Sequence, residues 1–229
     1  MTLKSSSPQT LPPQLVTVYG VVLNDHRSLA RFGDALEAAP YKGAPKAPAM
    51  YVKPANTVVG DGATVRLPNG ETAVEIGATI GIVIGRPAAR LTAETALEAV
   101  AGYVLVADLS LPHASYYRPA IREKCFDGAC PVAARTVPAA ETGRLADLKL
   151  TISVDGLAVG TRTFAELVRD VPRLLVDVTE FMTLSVGDVL LLGVEYQAPQ
   201  ARVGSSAHIA AGPLGTLGFN IQAATEAAQ

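Results

Sequence analysis

Glu75-Ile76-Gly77-Ala78-Thr79-Ile80-Gly81-Ile82-Val83-Ile84-Gly85-Arg86 is the stretch whose pattern decides the fold. Ile76, Ile80, Ile82 and Ile84 alternate with Gly77, Thr79, Gly81 and Val83. A period of two puts the isoleucines on one face of an extended segment, so that face is predicted to be buried, with Gly85 ending the strand. Upstream, Thr64–Leu67, Pro68-Asn69-Gly70 and the segment from Glu71 onward are predicted to form a hairpin, because Asn-Gly suits the positive φ angles of a tight turn.

The pattern extends outward from there. Val16–Leu23 reads as a first strand, Asn24-Asp25-His26 as a turn or helix cap, and Ser28–Ala38 as a short helix. Met50–Lys53 is a short strand stopped by Pro54. Thr92–Ala101 is predicted to be a helix, with Thr92 as cap, Ala93, Leu97 and Val100 as its apolar stripe, and Gly102 closing it. Tyr103–Leu109 reads as a buried strand, and Leu148–Val154 with Leu157–Thr161 as a hairpin about Asp155-Gly156. Thr163 and Glu166 have capping-box spacing ahead of a stripe of Leu174, Leu175, Val178 and Phe181. Val189–Gly193 and short segments after Arg202 complete the strands. Strands dominate and helices are peripheral, which predicts a mixed α+β domain over residues 15–223, with a flexible tail at 1–14 and a frayed end at 224–229.

Composition narrows the function classes. Of the 229 residues, 49% are apolar and 17% charged, the balance of a compact globule rather than a disordered chain. The net charge of -2, with no basic block, gives nucleic acid or an anionic membrane surface nothing to recognise. The longest apolar runs, near Ile80–Ile84 and Val189–Leu192, are too short to span a bilayer. Met1–Gln14 is polar and lacks the apolar centre of a signal peptide, so a cytoplasmic protein with two reduced, buried thiols at Cys125 and Cys130 is expected. The three histidines, His26, His113 and His208, have no zinc spacing, no Walker loop is present, and no serine sits in a nucleophile elbow.

The distinctive wording lies between Thr79 and Pro131. Ile80–Arg86, then Gly102-Tyr103 with Asp108 and Ser110, then Cys130-Pro131, is similar to the fumarylacetoacetate hydrolase family. Ser110-Leu111-Pro112, Tyr117-Arg118-Pro119-Ala120-Ile121, Lys124-Cys125 and Asp127-Gly128 narrow the resemblance to the two-half decarboxylase/isomerase type of 4-hydroxyphenylacetate (homoprotocatechuate) breakdown, of which this chain resembles the first half. The resemblance covers Val16 to Ile221 and implies a mixed β-sandwich roll with dimeric or pseudo-dimeric packing.

It also implies a Mg²⁺ or Mn²⁺ ion held by Glu-x-Glu on one strand and an Asp on the next. A hard cation chelates the carboxylate and keto oxygen of a 2-oxo acid and stabilises the enolate formed on decarboxylation or proton shift. In the register set by Ile80–Arg86 the two Glu positions fall on Gly77 and Thr79, while Asp108 keeps the third. Glu75 shares their face but lies roughly 13 Å along the strand from position 79 at ordinary rise. A single carboxylate predicts weak metal binding by this chain. Asp108 has a second reading, as a strand-end residue capping the following loop.

Other candidates come with the resemblance. Lys124 matches the family's active-site lysine, placed to pair with a substrate carboxylate or move a proton, against the plain reading of a surface lysine. Lys53 matches a family lysine near the site, and Arg118 with Tyr116 and Tyr117 is a candidate clamp for a second carboxylate, or else part of a subunit contact. His26 falls near the family's lid histidine, but Leu29 stands where its glutamate partner belongs. Val194-Glu195 replaces a Thr-Pro that ordinarily follows Gly187–Gly193, removing a hydroxyl expected to meet substrate.

The implied reactions are decarboxylation of 5-carboxymethyl-2-oxo-hex-3-ene-1,7-dioate and isomerisation of the resulting 2-hydroxyhepta-2,4-diene-1,7-dioate. The alternative is a non-catalytic structural subunit that pairs with a homologous metal-binding chain. The expected partners are an unsaturated dicarboxylate or tricarboxylate and a second protomer, identical or homologous.

Overall fold

A computed structural model describes residues 16–113 and 115–224. Its strands are β1 (Val18–Val22), β2 (Ala49–Lys53), β3 (Val58–Val59), β4 (Ala63–Arg66), β5 (Ala73–Ile84), β6 (Val100–Ser110) and β7 (Cys130–Pro131), followed by β8 (Val137–Pro138), β9 (Lys149–Val154), β10 (Leu157–Thr163), β11 (Val189–Leu191), β12 (Gln200–Arg202), β13 (Ser206–Ala210) and β14 (Thr216–Gln222). Four short helices, α1 (His26–Phe32), α2 (Ile121–Lys124), α3 (Ala139–Thr142) and α4 (Val171–Thr179), lie among them. A seven-stranded sheet runs β2-β1-β11-β5-β6-β8, with β12 also paired to β5. A second, five-stranded sheet runs β10-β9-β13-β14-β4, and β3 pairs with β7 apart from both. The α+β expectation holds.

β5 is the spine. All its residues from Ile76 to Ile84 are buried, so the isoleucine face and the Gly77–Val83 face are both covered. Only a central strand between two packed layers buries both faces, which is why it pairs with β6 along nearly its whole length and with β11 and β12 on its other edge. One apolar cluster joins β5 and β6 to Leu150, Ile152, Ile209, Leu217 and Phe219 of the second sheet.

Local departures from the predicted elements have local causes. The Asn69-Gly70 turn forms, with Gly70 at φ 85, but β4 and β5 do not pair as a hairpin. β4 alternates buried and exposed and runs parallel to β14, while β5 continues into the other sheet. The helix expected at Thr92–Ala101 shrinks to a 3₁₀ turn at Ala96–Ala99, leaving Leu97 half exposed, because Val100 pairs with Ile84 and starts β6. Asp25 caps α1 by accepting from the Ser28 N–H, and Gly33 at φ 55 breaks the run before a 3₁₀ turn ending at Leu36.

The later helix starts at Asp170, whose side chain accepts from the Arg173 N–H, and not at Thr163. Leu174, Leu175 and Val178 form its buried stripe, but Phe181 lies beyond its end and is 67% exposed. The Asp155-Gly156 hairpin forms as expected, with φ of 51 and 80 at its two turn residues. Both cysteines are free, Cys130 buried and Cys125 only partly so. The tail at 1–14 and residues 225–229 lie outside the described residues, and no described helix is long and apolar enough to cross a membrane.

Candidate functional site

The site is assembled by three segments of the large sheet and the loop that follows β6. Asp108 sits near the end of β6, directly opposite Gly77 of β5. Lys53 ends β2, and the alternation of that strand brings Tyr51 to the same face. After β6 the chain turns back through α2, where the Leu111 N–H donates to the Glu123 carbonyl at 2.8 Å, and this return carries Lys124 over the strand it left.

Asp108, Lys53 and Lys124 are 1%, 1% and 3% exposed. Lys124 Nζ donates to Asp108 Oδ2 at 2.9 Å. Lys53 Nζ lies 2.8 Å from Oδ1 as a charge contact without aligned hydrogen-bond geometry, and it donates instead to the carbonyls of Leu109 at 3.1 Å and Lys124 at 2.6 Å. The Tyr51 hydroxyl donates to Asp108 Oδ2, and the Lys124 ammonium lies 4.8 Å from the centroid of the Tyr51 ring.

Electrostatics follow from this packing. Burial acts to raise the Asp108 pKa, but Lys124 and Lys53 together outweigh it and hold the carboxyl at about 2. Burial is also the largest influence on Lys124; with the like charge of Lys53 it outweighs Asp108, so its pKa is lowered. Burial and then the Asp108 charge push the Tyr51 hydroxyl well above its ordinary range. Two ammoniums and one carboxylate leave the buried cluster with an excess positive charge. The reading of Lys124 as a plain surface lysine is therefore corrected, and so is Asp108 as a mere loop cap.

These residues do not fit a divalent cation. Both Asp108 oxygens already face ammonium groups, which repel a metal at that spot. A side chain at position 77 would overlap the Asp108 carbonyl oxygen and lie 2.6 Å from Val194 Cγ1, so the strand pair and Val194 occupy the space a ligand would need. Thr79 Oγ1 is buried and donates to the Gly193 carbonyl at 2.6 Å. Among the described residues no group of three His, Cys, Asp or Glu side chains is arranged to hold a metal.

The remaining candidates divide between two clefts. Arg118 is exposed at the rim of a cleft of about 460 Å³ lined also by Tyr51, Tyr116, Tyr117 and Lys124, with no acidic side chain among its described lining. Tyr116 is positioned by a ring cluster, 6.0 Å from Phe32 and 5.7 Å from Tyr196 between centroids, and its N–H donates to the Tyr41 hydroxyl at 2.9 Å. Burial pushes the Tyr116 hydroxyl up, and the charges of Glu75 and Asp108 add to this. His26 is exposed at the start of α1 and lines neither cleft, and its place there follows from Asp25 serving as the cap. Leu29 packs against the cluster of Leu23, Phe32 and Leu36, an apolar role a glutamate could not fill.

Lys124 also lines a cavity of about 10 Å³, together with Glu75, Gly77, Asp108, Ser110, His113, Tyr116 and Val194 among others. Glu75, His113 and Ala198 also line an open cleft of about 610 Å³. Sequence reading set Glu75 aside and gave His113 no role. Glu75 faces Ser110 across the β5–β6 ladder, so it neighbours Asp108 through the sheet and not along its own strand. Tyr51 was also missed, although its spacing of two from Lys53 was the available signal.

Comparison with known proteins agrees with this architecture. The chain is 40% identical over 190 residues to the 4-hydroxyphenylacetate degradation bifunctional isomerase/decarboxylase of Escherichia coli, an alignment that spans 82% of this chain but 42% of that protein. The chain thus spans less than half the length of that relative. It superposes on the crystal structure of 5-carboxymethyl-2-hydroxymuconate delta-isomerase from Mycobacterium smegmatis with a TM-score of 0.78 and 25% identity, covering 95% of this chain and 83% of the other. Fumarylpyruvate hydrolase from Pseudomonas aeruginosa, solved with Mn²⁺ and pyruvate, shares the fold at a TM-score of 0.77 and 24% identity, covering 96% and 94% of the two chains. The profile described as fumarylacetoacetate (FAA) hydrolase C-terminal matches residues 17–222, so the chain belongs to the fumarylacetoacetate hydrolase family.

Proposed function

We propose that this chain is one half of a two-half decarboxylase/isomerase of 4-hydroxyphenylacetate (homoprotocatechuate) breakdown. Paired with a homologous chain that carries the metal carboxylates, it takes part in decarboxylation of 5-carboxymethyl-2-oxo-hex-3-ene-1,7-dioate and isomerisation of 2-hydroxyhepta-2,4-diene-1,7-dioate. The family membership and the likeness to part of a bifunctional relative support the pathway. The observation that carries the division into halves is the Asp108 carboxylate held between Lys53 and Lys124, which leaves no place for the cation.

In this reading the chain's own side chains bind and orient. Lys124 and Arg118 supply positive charge to the substrate carboxylates, and Tyr116 lines both the cleft of about 460 Å³ and the small cavity beside Asp108. The metal, held by the partner, would stabilise the enolate of the 2-oxo acid.

The test is metal analysis and decarboxylase assay of the chain alone and mixed with its homologous partner. The expected result is no stoichiometric Mg²⁺ or Mn²⁺ in the chain alone, and a complex with full decarboxylase activity on mixing. Stoichiometric metal with decarboxylation by the chain alone would sink this reading, as would a partner that is fully active and never binds it.

A further inference from the structure

We propose that the cleft of about 460 Å³ between β2 and the 116–125 segment binds an aromatic monocarboxylate, its ring against the tyrosine walls and its carboxylate on Arg118. This goes beyond the reaction assigned above, because the ligand is not the unsaturated polycarboxylate and its binding needs no partner chain. Only its consequence for turnover rests on that reading.

The first observation is charge. Arg118 is exposed, lines the cleft, and has no ion pair or hydrogen bond among the described residues. No acidic side chain is among the described lining. The Lys53–Asp108–Lys124 cluster, which reaches the cleft through Lys124, carries one more positive charge than negative. Lys124 is only 3% exposed, so it acts on a ligand through its charge and not by contact. An anion is thus drawn in, and the planar guanidinium of Arg118 offers paired donors to one carboxylate.

The second observation is shape. Tyr51, Tyr116 and Tyr117 bring three rings to the lining, and Met50, Val52 and Ile121 add apolar surface. The rings are held in place. Tyr51 lies against Gly20, where any added side chain would overlap the ring, and its hydroxyl is engaged by Asp108. Tyr117 stands edge-on to Tyr41, with centroids 6.2 Å apart and planes at 86°. Val52, Tyr117 and Ile121 are 46%, 59% and 62% exposed, so this surface is open to a ligand. Fixed rings favour stacking or edge-on contact with another flat ring, and the volume is within the range of small-molecule sites.

The two observations together select the ligand class. One carboxylate finds a free cation in Arg118. Further carboxylates would face side chains such as Met50, Val52, Pro54 and Ile121, which cannot replace the water they lose. A ring placed there buries apolar area instead. Since Arg118 is also a cation assigned above to the substrate, the same ligand excludes substrate from it.

The experiment titrates the full chain with phenylacetate by calorimetry. Saturable binding at a single site is expected, with phenylacetamide, which has the ring but no charge, weaker by roughly tenfold or more. Arg118→Gln is expected to weaken phenylacetate to a similar degree, and Ile121→Asp, which puts an acid in the cleft at another exposed position, to abolish binding. Cys125 reports the location: it is partly exposed and lines the cleft, whereas Cys130 is buried, so phenylacetate should slow alkylation of Cys125 by iodoacetamide. Absence of binding, equal affinity for phenylacetamide, an Arg118→Gln variant that binds as wild type, or binding that leaves Cys125 unprotected would each overturn the proposal. So would protection of Cys125 by the homologous partner but not by phenylacetate, which would make the cleft a subunit contact. In an active mixture with the partner, phenylacetate is expected to raise the KM for decarboxylation, and an unchanged KM would overturn the exclusion of substrate. Binding is read on the chain alone, so an inactive mixture counts against the shared-enzyme reading and leaves this site standing, while absent binding does the reverse.

Discussion

Gly77 and Asp108 stand opposite each other across the β5–β6 ladder, and a side chain at position 77 would overlap the Asp108 carbonyl oxygen. The loss of a ligand position is thus built into backbone spacing as well as sequence. Position 79 is committed in the same way, since its threonine hydroxyl ties β5 to Gly193.

Restoring the two family carboxylates is therefore expected not to restore the metal. The Gly77→Glu/Thr79→Glu variant should show no bound Mn²⁺ by EPR at concentrations that saturate a metal-competent relative. It should also lose stability by about 1–3 kcal/mol or more, because the added side chain at 77 meets Val194 in a packed core. A stoichiometric Mn²⁺ signal from a stable double variant would contradict the closed geometry.

Asp108→Asn is expected to destabilise the fold by roughly 3–5 kcal/mol, since it leaves two buried ammoniums facing each other with no countercharge. Urea unfolding followed by circular dichroism measures this as a fall in midpoint. A variant as stable as the parent would show that the lysines relax to solvent.

Acid should reveal the same carboxylate. The folded-state pKa of Asp108, about 2, lies below its ordinary value of 3.8. The unfolded chain therefore binds the proton first as pH falls. The stabilisation is complete above the ordinary value, and it is lost progressively as pH drops toward 2. Unfolding free energies of wild type measured between pH 6 and pH 3 should fall with a component that is absent from Asp108→Asn.

Asn24 offers a test of how the cluster's surroundings are held. Its amide donates to the Arg169 carbonyl at 3.0 Å and the Leu192 carbonyl at 3.1 Å, and its oxygen accepts from the Arg169 N–H at 3.0 Å. Asn24→Ala leaves those backbone groups unpaired in a buried place, with an expected cost of about 2–4 kcal/mol. Thermal unfolding should register it. A negligible shift would mean that solvent reaches these groups.

Much of the frame was legible because it is periodic. The alternation of Ile80, Ile82 and Ile84 located β5, and Asp155-Gly156 located its hairpin, since both depend on neighbours in the chain. The partner of each strand was less legible. Asn69-Gly70 makes a turn in either case, and nothing local says that β4 will continue one sheet and β5 another. At Thr92–Ala101 helical spacing was present, but pairing of Val100 with Ile84 outweighed it.

The sequence by itself determined the family and the absence of carboxylates at Gly77 and Thr79, because motif wording and strand register are read along one chain. Only the tertiary structure decided what became of Asp108. Its partners come from positions 53 and 124, brought together by packing, and their charges could be weighed only once their burial was known. The same holds for His113 and Glu75. A shared cleft is a property of three-dimensional neighbours, and no spacing along the chain encodes it.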